Sequence, residues 1–261
     1  DTRKGGFVGT LDPLASGLMI LAVGEATKMI SYLEGLDKTY ETVIQLGATS
    51  STYDGEGEVV ETENPKKPTL SEIEQVLRQS FIGERMQVPP VHSAIQMEGK
   101  RAYEMARKGQ EVEMKPRKVV FREVTVLDYE WPNLKVRLQV SSGTYVRSFA
   151  HDIGKMLQCG GYVKDLRRTH IADFSVEDAQ TLEVVGRKRA SALIPIENLF
   201  AHWPRVNLTG KQLLLLGNGG FIDLKLEGDG PFLAMFKDRC TGVLERRGEK
   251  VKYRRRFLID V

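Results

Sequence analysis

Gly6–Gly17, GFVGTLDPLASG, is the stretch on which the fold turns. Its simplest reading is local. Asp12 would be a helix N-cap accepting backbone N–H groups, with Pro13 at the first helical position, where no N–H is needed, and the apolar LASGLMILAV as the helix. This accounts for Asp12 and Pro13 only. Gly6, Gly9, Thr10, Ala15, Ser16 and Gly17 keep the approach to one carboxylate bare, and a helix cap has no need of that.

The 261 residues, 41% of them hydrophobic, suffice for one large and one small domain. The longest apolar run, LMILAVG, is far short of the roughly 20 residues needed to cross a bilayer, and no signal-like N-terminus precedes it, so a cytoplasmic protein without membrane contact is expected. Cys159 and Cys240 lie in no CxxC motif and do not cluster with the four histidines, so neither a disulfide framework nor a metal site is expected. His151, His170 and His202 have no functional partner spacing. The net charge is only +3, but its distribution is uneven. Residues 51–63 carry five acids and no base, residues 99–122 eight bases against three acids, and residues 246–256 seven bases against one acid. Two basic runs on one chain favour a nucleic-acid partner.

Along the chain, KTYETVIQLG (38–47) puts Tyr40, Thr42, Ile44 and Leu46 on one face of a strand. Thr69 and Glu72 stand at capping-box spacing before a helix from about Leu70 to Phe81, striped by Ile73, Val76 and Leu77. Two prolines make residues 85–98 extended, and KRAYEMARKG predicts a short basic helix ended by Gly109. Residues 119–148 give two strands joined at Pro132 and Asn133, then a helix from near Tyr145 carrying Phe149, Ile153, Met156 and Leu157. Beyond Pro195 the glycine-punctuated LLLLGNGGFIDLKLEGDGPFLAMFKD predicts short strands of a small all-β domain.

Five blocks, GTLDPLASG (9–17), KTYETVIQLG (38–47), QVPPVHSAIQMEGKRAYEMARKG (87–109), SSGTYVRSFAHDIG (141–154) and LRRTHIADFSVEDA (166–179), together resemble the TruB-type tRNA pseudouridine-55 synthases, in that family's order. The resemblance implies an α+β fold. It comprises a pseudouridine-synthase domain over residues 1–195, with a mixed, mainly antiparallel sheet flanked by helices and an inserted thumb over about 84–118. A small PUA-like RNA-binding domain would follow over 196–261. It implies isomerisation of the T-loop uridine at position 55 of tRNA, by a monomer with no cofactor and no obligate protein partner. The bare approach to Asp12 then has a reason. A base taken out of its stack must be lowered onto the carboxylate, and small residues make that room.

The resemblance assigns Asp12 as the essential catalyst, Arg147 as its partner and Tyr40 as the ring against the flipped base. A neighbouring guanidinium favours the ionised carboxylate, and its two-point geometry fixes the direction. Lys38 is expected to be a solvated residue at a strand start. Phe7 stands where the family has histidine, and with Gly9, Thr10, Leu11 and His92 it is a substrate-contact candidate. His92 and Gln96 replace the usual aromatic and lysine, and Ser51 a common aspartate, while Asp54 is retained. Thumb residues Lys100, Arg101, Arg107 and Lys108 are expected at phosphates, as are Arg167 and Arg168, one of which could equally be structural. Arg254, Arg255 and Arg256 would hold a distant part of the tRNA. The chain starts without the leading strand and its Lys-Pro motif, as a truncated one would. Two rivals stand beside this. One is an aspartate-nucleophile hydrolase or phosphotransferase, which needs a metal that no acidic cluster here would hold. The other is a non-catalytic T-arm-binding module.

Overall fold

A computed structural model describes residues 3–93, 95–97, 100–102, 105 and 112–257, with the backbone alone at 96, 97, 100 and 101. The chain forms two compact units. One consists of Val8–Ile20 and Tyr32–Ala179; the other begins at Gln180 and includes the N-terminal residues up to Phe7 together with Leu21–Ser31. The expected boundary between 195 and 196 falls inside this second unit.

No helix follows Asp12. After β1 (Gly5–Val8) the chain makes a turn and continues as β2 (Ala15–Gly17) and β3 (Ile20–Val23), so the run that the local capping reading would make a helix is extended. Gly17 has a φ of +104°, outside any right-handed helix, and Leu18 donates its N–H to the Arg168 carbonyl at 2.8 Å. Tertiary pairing overrides the local capping signal. A 3₁₀ turn and α1 (Ile30–Glu34) lead into β4 (Lys38–Leu46), whose alternate residues are buried as its period of two requires.

A short hairpin, β5 (Ala48–Ser50) with β6 (Val59–Glu61), brackets the acidic loop. Next come α2 (Leu70–Ser80), with the Thr69–Glu72 capping box formed in both directions, and β7 (Gly83–Gln87). The two-residue strands β8 (Gln96–Met97) and β9 (Lys100–Arg101) pair antiparallel where the basic helix was expected to begin. The rest of that segment, including Arg107, Lys108 and Gly109, lies outside the described residues apart from Ala102 and Met105. β10 (Arg117–Glu130) and β11 (Asn133–Val140) form the long hairpin around Pro132, and α3 (Val146–Met156) leads to β12 (Gly161–Ile171) and β13 (Phe174–Ser175).

The main sheet runs β13-β12-β4-β11-β10-β7, antiparallel throughout, with β2 added in parallel beside β12. Its core side packs against α2 and α3 through Ile73, Leu77, Phe149 and Ile153 over Ile44, Leu134, Val136 and Leu138. Phe81, Phe121 and Phe149 meet edge-on or tilted at 4.7–5.8 Å. Each fully buried side chain of this size contributes about 1.5–3 kcal/mol of burial free energy, enough to make α3 a rigid mount for what it carries. Met156, expected on the apolar stripe, is instead exposed.

In the second unit, α4 (Leu182–Lys188) and α5 (Ile196–Leu199) precede β14 (Arg205–Asn207) and α6 (Gly210–Gly217). Strands β15 (Ile222–Asp223), β16 (Phe232–Phe236), β17 (Arg239–Arg247) and β18 (Lys250–Arg256) complete a sheet in the order β14-β16-β17-β18-β15. The LLLL run, expected as a strand, is α6, started by a Thr209–Gln212 capping box and burying Leu216 against Val206, Phe232 and Val251. Among the described residues no helix is long and apolar enough to cross a membrane.

Candidate active site

Arg147 sits in the first turn of α3, its side chain only 5% exposed, and its guanidinium makes four hydrogen bonds and a second ion pair. Nε donates to Asp12 Oδ2 at 2.8 Å and Nη2 to Asp12 Oδ1 at 2.7 Å, a two-point grip on the carboxylate. Nη2 also donates to the His92 carbonyl at 3.0 Å; Nη1 donates to the Thr52 carbonyl at 3.3 Å and faces Asp54 Oδ2 at 3.4 Å. The start of the helix is itself held. The Gln87 amide bonds both backbone groups of Tyr145, at 3.0 and 2.9 Å, and Ser148 Oγ donates to the Val88 carbonyl at 2.7 Å. The guanidinium cannot turn without giving up several bonds, so Asp12 has one direction. With 30% of its side chain exposed, that carboxylate remains open to a ligand.

Asp12 reaches this place because β2 docks on β12, pairing Ala15, Ser16 and Gly17 with Leu166, Arg167 and Arg168. A Cβ on Gly17 would run into the Arg168 backbone, so the close approach requires glycine. Arg168 is fully buried: Nε donates to the Leu18 carbonyl at 2.9 Å and Nη2 to the Gly9 carbonyl at 3.3 Å. The expectation of a phosphate contact is therefore corrected for Arg168, which no phosphate can reach, while its neighbour Arg167 is exposed. Gly9, Thr10 and Leu11 form the loop leading into Asp12, with Thr10 exposed. Phe7, 50% exposed, lies on β1 in the other unit.

Tyr40, paired with Arg168 across the sheet, is buried beside the same guanidinium. Burial pushes its phenol above the usual value; the charge and hydrogen bond of Arg168 oppose this, and Asp12 adds to it. Burial likewise raises Tyr145, whose ring lies within reach of the Asp12 and Arg147 charges. Lys38 corrects the sequence reading. It is buried, and its Nζ donates to the Glu34 and Leu36 carbonyls at 2.9 and 2.8 Å, with Ser142 Oγ at 3.4 Å. Burial first, and the Arg168 charge second, lower it to about 8.

Asp54 was noted in the sequence without a role. It is buried in the acidic loop, where its Oδ1 accepts from Thr52 Oγ1 and, at 3.1 Å, from the Glu56 N–H, leaving Oδ2 to Arg147. The sequence signal was an aspartate in a loop closing next to β5, too common to single out. Among the described residues no group of His, Cys, Asp or Glu is arranged to hold a metal.

Residues 1–146 match the model of the TruB family pseudouridylate synthase (N terminal domain), and residues 147–197 that of the tRNA pseudouridylate synthase B C-terminal domain. The chain belongs to the TruB family. It is 38% identical over 259 residues to the tRNA pseudouridine synthase B of Azoarcus sp. (strain BH72), covering 98% of this chain and 86% of that one. Against its namesake from Aquifex aeolicus (strain VF5) identity is 41% over 226 residues, 82% of this chain and 78% of that one. Among solved structures, a chain of a Cbf5-Nop10-Gar1 complex shares the fold with a TM-score of 0.70 at 23% identity, over 98% of this chain and 77% of that one.

Proposed function

We propose that this TruB-family tRNA pseudouridine synthase isomerises the T-loop uridine at position 55 of tRNA, with Asp12 as the catalyst acting on a flipped nucleotide. The observation that carries the proposal is the five-point hold on Arg147, two points of which fix Asp12. In the reaction the bond from uracil N1 to ribose C1′ breaks, the base turns and C5 bonds to C1′ as its proton leaves. A carboxylate of fixed direction and partial exposure suits attack or proton abstraction at that nucleotide. Tyr40 offers a neutral ring against the base, since burial keeps the phenol protonated. The intact aspartate–arginine pair favours catalysis over the non-catalytic T-arm-binding module.

RNA binding is assigned to basic side chains. Lys100, Arg101, Arg107 and Lys108 of the thumb, with Arg167, would meet phosphates of the T-arm, with Gly9, Thr10, Leu11 and His92 near the nucleotide. A groove lined by Arg246, Arg247, Lys252, Arg254 and Arg255 in the second unit would meet a distant part of the tRNA. Arg256 leaves this set, because its guanidinium caps the end of α6 at the Gly217 carbonyl. The test is an unmodified tRNA transcript with no added metal, with pseudouridine mapped by carbodiimide treatment and primer extension. A stop at position 55 with the native chain, and none with Asp12→Asn at an RNA affinity within a few fold, is expected. Turnover by Asp12→Asn, or a stop elsewhere only, overturns the proposal.

A further inference from the structure

Thr52 and Asp54, which meet the far side of the Arg147 guanidinium, flank Tyr53, and Tyr53 is held on two sides. On one, its carbonyl accepts from the Val163 N–H and the Val163 carbonyl from the Gly55 N–H, both at 3.0 Å, so the loop is stitched to β12. On the other, its ring stacks on His151, with centroids 4.1 Å apart and planes inclined by 16°. Tyr53 has a φ of +63°, a left-handed conformation that side chains with a Cβ adopt rarely and that surrounding contacts must maintain. His151 follows Arg147 by four residues on α3, hence on the same face one turn later. The helix that carries the guanidinium thus also carries the ring that holds its acceptors.

We propose that His151 is a positioning residue for the reaction: its imidazole, stacked on Tyr53, keeps the 52–54 turn against Arg147, so that the Thr52 carbonyl and Asp54 hold the guanidinium in the plane that aims Asp12. Burial lowers the His151 imidazole and raises the Tyr53 phenol, which leaves two neutral rings to stack near neutral pH. What is used is a flat face, not a proton. The proposal rests on Asp12 being the catalyst.

The experiment compares His151→Ala, His151→Phe, Tyr53→Leu and Asp12→Asn in the full chain, with an unmodified tRNA transcript as substrate, reading kcat, KM and melting temperature. Loss of one aromatic stack corresponds to about a three- to tenfold effect. His151→Ala should lower kcat by that factor with KM changed less than about twofold, and His151→Phe should restore most of it. Tyr53→Leu, which removes the other ring and leaves α3 intact, should match His151→Ala and decides the matter if the alanine chain does not fold. An unchanged kcat in whichever ring-deleted variant folds, even with a lowered melting temperature, overturns the proposal, as does a phenylalanine variant no better than alanine. If Asp12→Asn is inactive in the same assays, such a result refutes the role of His151 alone; if Asp12→Asn turns over, the catalytic assignment has failed first.

Discussion

Replacing Arg147 by methionine keeps much of the side-chain stem and removes the charge from between two carboxylates with unequal access to water. Asp12 is 30% exposed on its side chain and can be rehydrated; Asp54 is 3% exposed and cannot. The cost therefore falls mainly on Asp54. Its Oδ1 keeps the bonds from Thr52 and Glu56, but Oδ2 loses the only cation paired with it among the described residues. Removing one partner of a buried ion pair costs about 3–5 kcal/mol, and the 3.4 Å separation places this case near the lower end, at about 3 kcal/mol. At roughly 2–4 °C per kcal/mol for a domain of this size, the melting temperature should fall by about 6–12 °C. The diagnostic step is to add Asp54→Asn, which removes the unpaired charge. In the Arg147→Met background it should cost about 1–3 kcal/mol less than in the native chain, or even stabilise, in urea unfolding curves. Arg147→Met within 1 kcal/mol of the native chain, or an Asp54→Asn cost equal in both backgrounds, refutes this reasoning.

Lys38, lowered to about 8 by burial, gives stability a definite pH dependence. Below that value native and unfolded chains both hold the proton and the burial penalty is fully present; between about 8 and 10.5 only the unfolded chain keeps it, so stability rises with pH. Relative to Lys38→Met, the native chain should gain about 2 kcal/mol between pH 7.5 and 9.5 in urea titrations, and a flat difference would contradict the assignment. Gly17→Ala places a Cβ against the Arg168 backbone at φ +104° and should cost at least about 2 kcal/mol by thermal unfolding, several times the cost of Gly83→Ala, where a Cβ at φ +96° meets nothing within 4 Å. Cys159 and Cys240 are buried, with thiols raised by that burial, Cys240 to about 11, so iodoacetamide at pH 8 should label neither in the native chain and both in urea.

Strong local signals survived intact. The period of two in β4 and the Thr69–Glu72 capping box appear where the sequence puts them, because burial pattern and hydrogen-bond chemistry agree there. Where a distant partner decides, local signals misled. Asp12-Pro13 has the form of a helix start, yet Arg168 claims the following residues for a strand. The four leucines of α6 suggested a strand, although Thr209 and Gln212 already marked a helix start. Lys38 stood at a strand start and was expected in water; carbonyl oxygens of a preceding turn, invisible in the residue pattern, take it inside. Within the site, Asp12, Arg147 and Tyr40 could be named from motifs, whereas Asp54 acquires its place only when the acidic loop meets α3.

The distance along the chain between the groups that meet at Asp12 bears on when the site can come into being. Asp12 and Arg147 are 135 residues apart, Leu18 and Arg168 150, and Gly9 and Arg168 159. Contacts of such span close late, since the entropy of the intervening loop must be overcome before they contribute. On the ribosome, with synthesis at about 5–20 residues per second, the aspartate emerges roughly 7–30 s before the arginine that orients it. A prematurely terminated chain ending before Arg147 would carry the carboxylate without its direction.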